Sequence, residues 1–229
     1  MEQISPPARE RLLYLMRILE SAGEESLTSA QIEGLTGWSS NTIRKDISCL
    51  GGDVGGNAHS SAHGDTHGHA IGSSSGYAPA ALAPAIRKAL ELDRRRKFCV
   101  VGLGRLGSAY LNFQAFELGE FELAAGFDTN VNRVEILASP APLYPAYKMG
   151  EVISRFGIEM ALLCVPAEAA PAAAEKLVAA GIRGILNFAP VALKVPPEIA
   201  VRNVFVADEL RSLAIKMQSS IEILKRSEL

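Results

Sequence analysis

Apolar residues change their spacing several times along this chain, and each change predicts a different element. Between Arg9 and Glu20, Leu12, Leu15, Met16 and Leu19 recur at helical spacing, which predicts a helix with one face against a core. Leu27-Thr28-Ser29-Ala30-Gln31-Ile32-Glu33-Gly34-Leu35-Thr36-Gly37 reads as a short helix. Thr28 or Ser29 can accept its free N–H groups, and Gly37 can end it at φ > 0. A three-residue turn, Trp38-Ser39-Ser40, leads into a further helix. Ile43, Ile47 and Leu50 form its inward face, while Asn41, Thr42, Arg44 and Lys45 point outward. That is helix–turn–helix grammar. Arg can pair with guanine O6 and N7 and Lys with phosphate, so Ser40, Asn41, Thr42, Arg44 and Lys45 are the candidate DNA contacts. A three-helix module that binds protein has the same pattern. Residues 1–50 hold five Lys/Arg against seven Asp/Glu, so charge does not separate the two readings.

From Phe98 onward short apolar runs alternate with helical stretches, which predicts an α/β parallel sheet. Phe98-Cys99-Val100-Val101 is the first strand, and Phe121 to Phe127 the second. Pro142-Leu143-Tyr144 suits a short third strand, and Tyr147 to Phe156 a helix. Met160 to Val165 is a strand ending at Pro166, and Glu168 to Ala180 a helix closed by Gly181. Gly184 to Phe188 is the next strand, and Val204-Phe205-Val206 reads as the last.

The first strand runs into Gly102-Leu103-Gly104-Arg105-Leu106-Gly107, a G-x-G-x-x-G turn opening a helix near Arg105. In a dinucleotide-binding Rossmann unit the first Gly makes the tight turn, the second leaves room for pyrophosphate, and the third lets helix approach strand. The helix N-terminus favours phosphate. Asp128 ends the second strand 21 residues beyond Gly107, where a carboxylate holds a ribose hydroxyl pair and repels a 2′-phosphate, favouring NAD(H). Arg133, five residues on, is poorly spaced for a 2′-phosphate clamp. The candidate cofactor contacts are therefore Gly102, Leu103, Gly104, Arg105, Leu106, Gly107 and Asp128, joined by Tyr144 and by Val165, Pro166, Asn187 and Phe188 at strand ends facing the crevice. The bland reading is a Gly turn in another α/β protein with an unrelated Asp.

The motif stands mid-chain, so roughly the first 95 residues belong to another module. A chain of 229 residues, 48% hydrophobic, suffices for two modest cores. The expected partition is 1–93 for a helix–turn–helix domain, with a Gly/Ser/His-rich insertion at 52–76, then 94–207 for the Rossmann domain and 208–229 for a C-terminal helix. In that helix Leu210, Leu213, Met217, Ile221 and Leu224 form an apolar stripe, and Asp208-Glu209 and Lys225-Arg226 match the dipole. Its partner is either this chain's own sheet or a second copy. The net charge of −2 carries no global nucleic-acid signature. No signal-peptide pattern and no apolar run near ~18 residues occurs, and Cys49, Cys99 and Cys164 are scattered, pointing to a cytoplasmic chain. Arg94-Arg95-Arg96-Lys97 reads as a solvated domain junction.

All four histidines, His59, His63, His67 and His69, fall in the insertion, with Asp65 among them. Imidazole clusters bind Zn²⁺, Ni²⁺ or Cu²⁺. Without Cys or an apolar anchor, the expectation is a flexible polar loop with no metal, and a metal site on these four residues is the alternative.

The chain resembles the Rex family of redox-sensing transcriptional repressors over nearly its whole length. The resemblance rests on Thr28-Ser29-Ala30-Gln31-Ile32, Ile43-Arg44-Lys45-Asp46-Ile47-Ser48, Val101 to Gly107, Gly126-Phe127-Asp128 and Leu163-Cys164-Val165-Pro166-Ala167. Its most diagnostic part is Ala180-Gly181-Ile182-Arg183-Gly184-Ile185-Leu186-Asn187-Phe188-Ala189-Pro190-Val191 with Val195-Pro196. It implies a homodimer with an N-terminal winged helix, a Rossmann domain reading NADH against NAD⁺, and a C-terminal helix swapped into the partner. NADH would release the repressor from operators upstream of respiratory or fermentative genes. Two departures stand out: no Arg or Lys lies between Lys45 and Arg87, so the wing has no basic minor-groove reader, and Phe205 replaces the acidic residue expected before the final helix. The rival readings are a small NAD-dependent oxidoreductase, a CoA-binding ligase subunit, or a NAD-sensing adaptor that binds protein. Against an enzyme, only 122 residues follow Gly107 and no histidine lies outside the insertion to act as acid or base.

Overall fold

The structure, a computed structural model, describes residues 4–50, 72–73, 76–113 and 120–227. It divides into two compact units, Met1–Arg94 and Arg95–Leu229.

In the first unit, α1 (Pro6–Ser21) buries Ala8, Leu12, Leu15, Met16 and Leu19. Next, α2 (Ser29–Thr36) opens on a capping box in which Thr28 and Gln31 satisfy each other's backbone N–H groups. It closes on Gly37 at φ +73°, where a side chain would be strained. The turn to α3 (Ser40–Ser48) ends at Ser39, whose hydroxyl accepts from the Thr42 N–H. Ile43 and Ile47 are buried, and burying each contributes about 1.5–3 kcal/mol. A small hairpin of β1 (Gly72–Ser73) and β2 (Gly76–Tyr77) is tied to the segment before α2 by a two-way backbone bridge between Leu27 and Tyr77. Then α4 (Pro79–Ala89), not foreseen from the sequence, packs Leu82, Ala83 and Ile86 into the same core as α1. Helix–turn–helix plus hairpin is a winged helix.

The second unit is a six-stranded parallel sheet. Its strands are β3 (Arg96–Val101), β4 (Phe121–Asp128), β5 (Leu143–Pro145), β6 (Met160–Leu163), β7 (Gly184–Asn187) and β8 (Ala200–Asn203). They lie in the order β5-β4-β3-β6-β7-β8, every pair parallel. That is the doubly wound dinucleotide order, reversing between β3 and β6. The helices α5 (Arg105–Leu111), α6 (Val131–Ile136), α7 (Met149–Phe156) and α8 (Ala170–Ala179) connect the strands. The final strand is Ala200–Asn203, not Val204-Phe205-Val206: β8 pairs with β7 through the register Gly184↔Ala200 to Asn187↔Asn203. Phe205 instead starts α9 (Val206–Ser227), its carbonyl accepting from the N–H groups of Asp208 and Glu209.

Arg96 and Lys97 belong to β3 and are half-buried, Arg96 beside Glu159 at 3.3 Å and Lys97 donating to the Phe156 carbonyl. No helix among the described residues is long and apolar enough to cross a membrane.

Candidate functional site

The reversal of strand order leaves a cleft at the carboxyl ends of β3, β4 and β6, where an open α/β sheet binds its ligand. A cavity of about 620 Å³ occupies it, walled by Gly102 and Gly104, by Asp128, by Val165 and Pro166, and by the small face Ala169, Ala172 and Ala173. Gly102 sits at φ +89°, and a Cβ there would meet the Cys164 carbonyl oxygen at 2.7 Å. At Gly107 a Cβ would stand 1.8 Å from the Gly102 oxygen, so only Gly lets α5 cross this close to the turn. Gly104, by contrast, faces open space: a Cβ would meet nothing within 4 Å. Gly104 thus leaves this side of the cavity open.

Asp128 is 5% exposed. Its Oδ2 accepts the Leu103 N–H at 2.6 Å and its Oδ1 the Asn130 N–H at 2.7 Å. The carboxylate therefore ties the tip of β4 to the glycine turn while still bordering the cavity. The Arg133 Nη1 lies 3.4 Å from Oδ2 and its residue lines the same wall. The spacing argues against Arg133 as a 2′-phosphate clamp, and α6 turns it toward Asp128 instead. Lys176 on α8 also lines the cavity. Cys164 lines it too, its thiol pushed up to about 12 by burial and so protonated at neutral pH.

Not every expected contact reaches this wall. Leu103 is buried with its backbone turned to Asp128, while Arg105 and Leu106 are exposed on α5. The Tyr144 ring packs 6.1 Å from Phe127, and Phe188 packs 5.1 Å from Tyr110. Asn187 is wholly buried: its amide donates to the Val191 carbonyl and Asn203 Oδ1, and its oxygen accepts the Ala189 N–H. It braces the loop after β7. None of these six lines the cavity, whereas Gly102, Gly104, Asp128, Val165 and Pro166 meet there.

On the first unit, α3 presents Asn41, Arg44 and Lys45 to solvent. Ser40 and Thr42 are partly committed. The Ser40 N–H and hydroxyl both donate to Glu33, at 3.0 and 2.5 Å, and these bonds hold the Glu33 carboxyl below its ordinary value. Thr42 bonds Ser39. Inside α3, buried Asp46 receives a two-point bond from Arg11 of α1. Neither Glu33 nor the Arg11–Asp46 pair was singled out from sequence, since each joins elements separated along the chain.

The residues of α9 from Val206 to Gln218 are all exposed, with Leu210 at 60% and Leu213 at 53%. Asp208 is paired with Arg211 one turn on. His59, His63, His67 and His69 lie outside the described residues. Among the described residues no group of three His, Cys, Asp or Glu is arranged to hold a metal ion.

A family model described as a CoA binding domain matches residues 93–191. A redox-sensing transcriptional repressor Rex from Rhodopirellula baltica is 34% identical over 220 residues, 95% of this chain and 86% of that protein. Its namesake from Thermus aquaticus is 38% identical over 211 residues, 88% of each. Among solved structures, RSP, a Rex-family repressor, matches with a TM-score of 0.78 at 26% identity over 99% of both chains. RSP in complex with β-NAD⁺ and operator DNA gives 0.78 at 27% identity, covering 98% of this chain and 97% of that one.

Proposed function

This chain belongs to the Rex family of redox-sensing transcriptional repressors, and from that premise we propose that it holds operator DNA through α3 and lets go when NADH fills the cavity beside the Gly102–Gly107 turn. The observation that carries the reading is the corner where Gly104 faces open space beside the buried Asp128 carboxylate. The residues fit the cofactor. Gly102 makes the tight turn, Gly104 leaves room for a pyrophosphate at the start of α5, and Asp128, already oriented by two backbone N–H groups, offers remaining lone pairs to a ribose diol. Arg133 closes the adenosine side, and the alanine face of α8 suits a flat ring. The bound nicotinamide supplies the signal, a neutral ring in NADH and a cationic one in NAD⁺.

On the DNA side, Arg44 reads a base edge in the major groove, and Lys45 and Asn41 hold phosphates. The wing segment between Lys45 and Arg87 contributes no Arg or Lys, so binding rests on α3. The apolar stripe of α9 is covered by a second copy, making a homodimer whose two α3 helices address two half-sites. The role is regulatory and cytoplasmic.

The test is operator affinity of the full chain, on a duplex it selects from a randomised pool, with NADH or NAD⁺ added. NADH should weaken binding and NAD⁺ much less, and by linkage DNA should weaken NADH binding by the same factor. Equal affinity across NADH concentrations that saturate the protein would exclude redox gating. NADH binding with no affinity for any duplex would leave the protein-binding adaptor.

A further inference from the structure

The outward residues of α3 read DNA only if the helix is rolled to the right angle about its own axis. Its buried face, Ile43 and Ile47, settles which side of the helix turns inward. Ile43 and Ile47 are aliphatic, and the hydrophobic attraction holding them is non-directional. At its N-terminal end α3 is held by Ser39 and by Glu33, which bonds the backbone and hydroxyl of Ser40. In its C-terminal half it is held by Arg11 of α1, whose Nε donates to Asp46 Oδ2 at 2.6 Å and Nη2 to Asp46 Oδ1 at 2.8 Å.

We propose that Arg11 and Asp46 are positioning residues for DNA reading, the planar fork between them setting the roll of α3 and so the placement of Arg44 and Lys45. Asp46 adjoins Lys45 in sequence and stands on the flank between the buried face and the outward one. Asp46 is 6% exposed and borders a cavity of about 300 Å³ that Asn41, Thr42 and Lys45 also line. A guanidinium fork meets a carboxylate in one plane along two parallel bonds, which resists roll in a way a single contact does not. The lever arm is long. A roll of about 20° moves a side-chain tip about 9 Å from the axis through about 3 Å. That is the full length of a hydrogen bond, so base readout fails while attraction to phosphate persists.

This inference rests on the DNA reading above, and the experiment separates the two. Arg11→Lys, Arg11→Met and Asp46→Asn are made in the full chain. Each is titrated with the duplex that the wild type selects and with a scrambled duplex of the same composition, at a temperature where its thermal melt shows it folded. The ratio of scrambled to selected dissociation constants should fall at least about tenfold in all three, the scale of one lost base readout. Affinity for the scrambled duplex should stay within about twofold, since phosphate attraction tolerates displacement. Arg11→Lys keeps the charge but not the fork, so it should melt closer to wild type than Arg11→Met yet lose the ratio as fully. A ratio kept by Arg11→Lys, or both duplexes weakening in step with melting temperature, would show the pair to be structural only and overturn the proposal. Failure of the wild type to select any sequence overturns the DNA reading itself, and this proposal with it.

Discussion

Replacing Asp128 by Ala removes one carboxylate that serves both the turn and the expected ligand, and the two losses can be estimated separately. Without ligand, the Leu103 N–H loses its 2.6 Å acceptor inside a buried segment, an orphaned donor costing about 1–3 kcal/mol. Asn130 is exposed and Arg133 half-exposed, so water replaces the carboxylate for both at little cost. For a unit of this size each kcal/mol lowers the melting temperature by roughly 3–5 °C. With NADH, the charge-assisted bonds to a ribose diol are also lost, weakening binding by a further ~1–3 kcal/mol, or about five- to 150-fold. The assays are NADH fluorescence titration, thermal melting and cofactor-free binding to the selected duplex. The last should be unchanged, because α1–α4 form their own core. An NADH titration equal to wild type would remove Asp128 from the binding site, and an unchanged melt would refute its role in holding the turn.

Gly107→Ala places a Cβ 1.8 Å from the Gly102 oxygen, so α5 must shift by over an ångström. It should cost at least about 2–3 kcal/mol in thermal stability and abolish NADH binding, checked by the same titration. Arg44→Ala should cost about 1–3 kcal/mol and blur one base position, while Lys45→Ala should lower affinity evenly across sequences and reduce the salt slope by about one. Competition binding at several salt concentrations distinguishes them. Deleting residues 208–229 removes most of α9 and should convert a dimer into monomer or aggregate by sedimentation, whereas a stable dimer of full operator affinity would place the dimer contact elsewhere. Chelator should leave operator affinity unchanged, and a loss reproduced by His63→Ala would instead assign metal to the histidine-rich insertion.

Local signals in the sequence account for the parts of the fold that were legible. The cap at Thr28 or Ser29, which the structure gives to Thr28, the left-handed stop at Gly37 and the spacing of Ile43 and Ile47 all act within a few residues, and such signals can be read locally. The turn at Gly102 followed by an acid at the end of the next strand likewise implies the parallel doubly wound sheet. What was missed depends on partners far along the chain. β8 was read three or four residues late because Val204-Phe205-Val206 is the apolar run, whereas an edge strand such as Ala200–Asn203 is defined by its hydrogen bonds to β7 and keeps mostly exposed side chains. The helix α4 hides behind Pro79 and Pro84. Pro79 falls in the first turn, where no N–H is needed, and Ala-rich surroundings supply the propensity. Arg11 and Asp46 lie 35 residues apart, and no periodicity links them. The Arg133–Asp128 ion pair is likewise invisible in the spacing, which speaks only against Arg133 as a 2′-phosphate clamp.

The two-way bridge between Leu27 and Tyr77 has a consequence for how such a protein diversifies. It fixes the point at which the chain rejoins the first unit, just before Tyr77 enters the core and α4 begins. Leu50, at the end of α3, fixes the point of departure. Both gateposts are set by the core, and for any flexible connection between two fixed ends a doubling of length adds only about 0.6 kcal/mol of closure entropy. A repressor that keeps these two gateposts keeps with them the core in which Ile43 and Ile47 seat its DNA-reading helix, so the seat of that helix is inherited through Leu27, Leu50 and Tyr77 as much as through the helix itself.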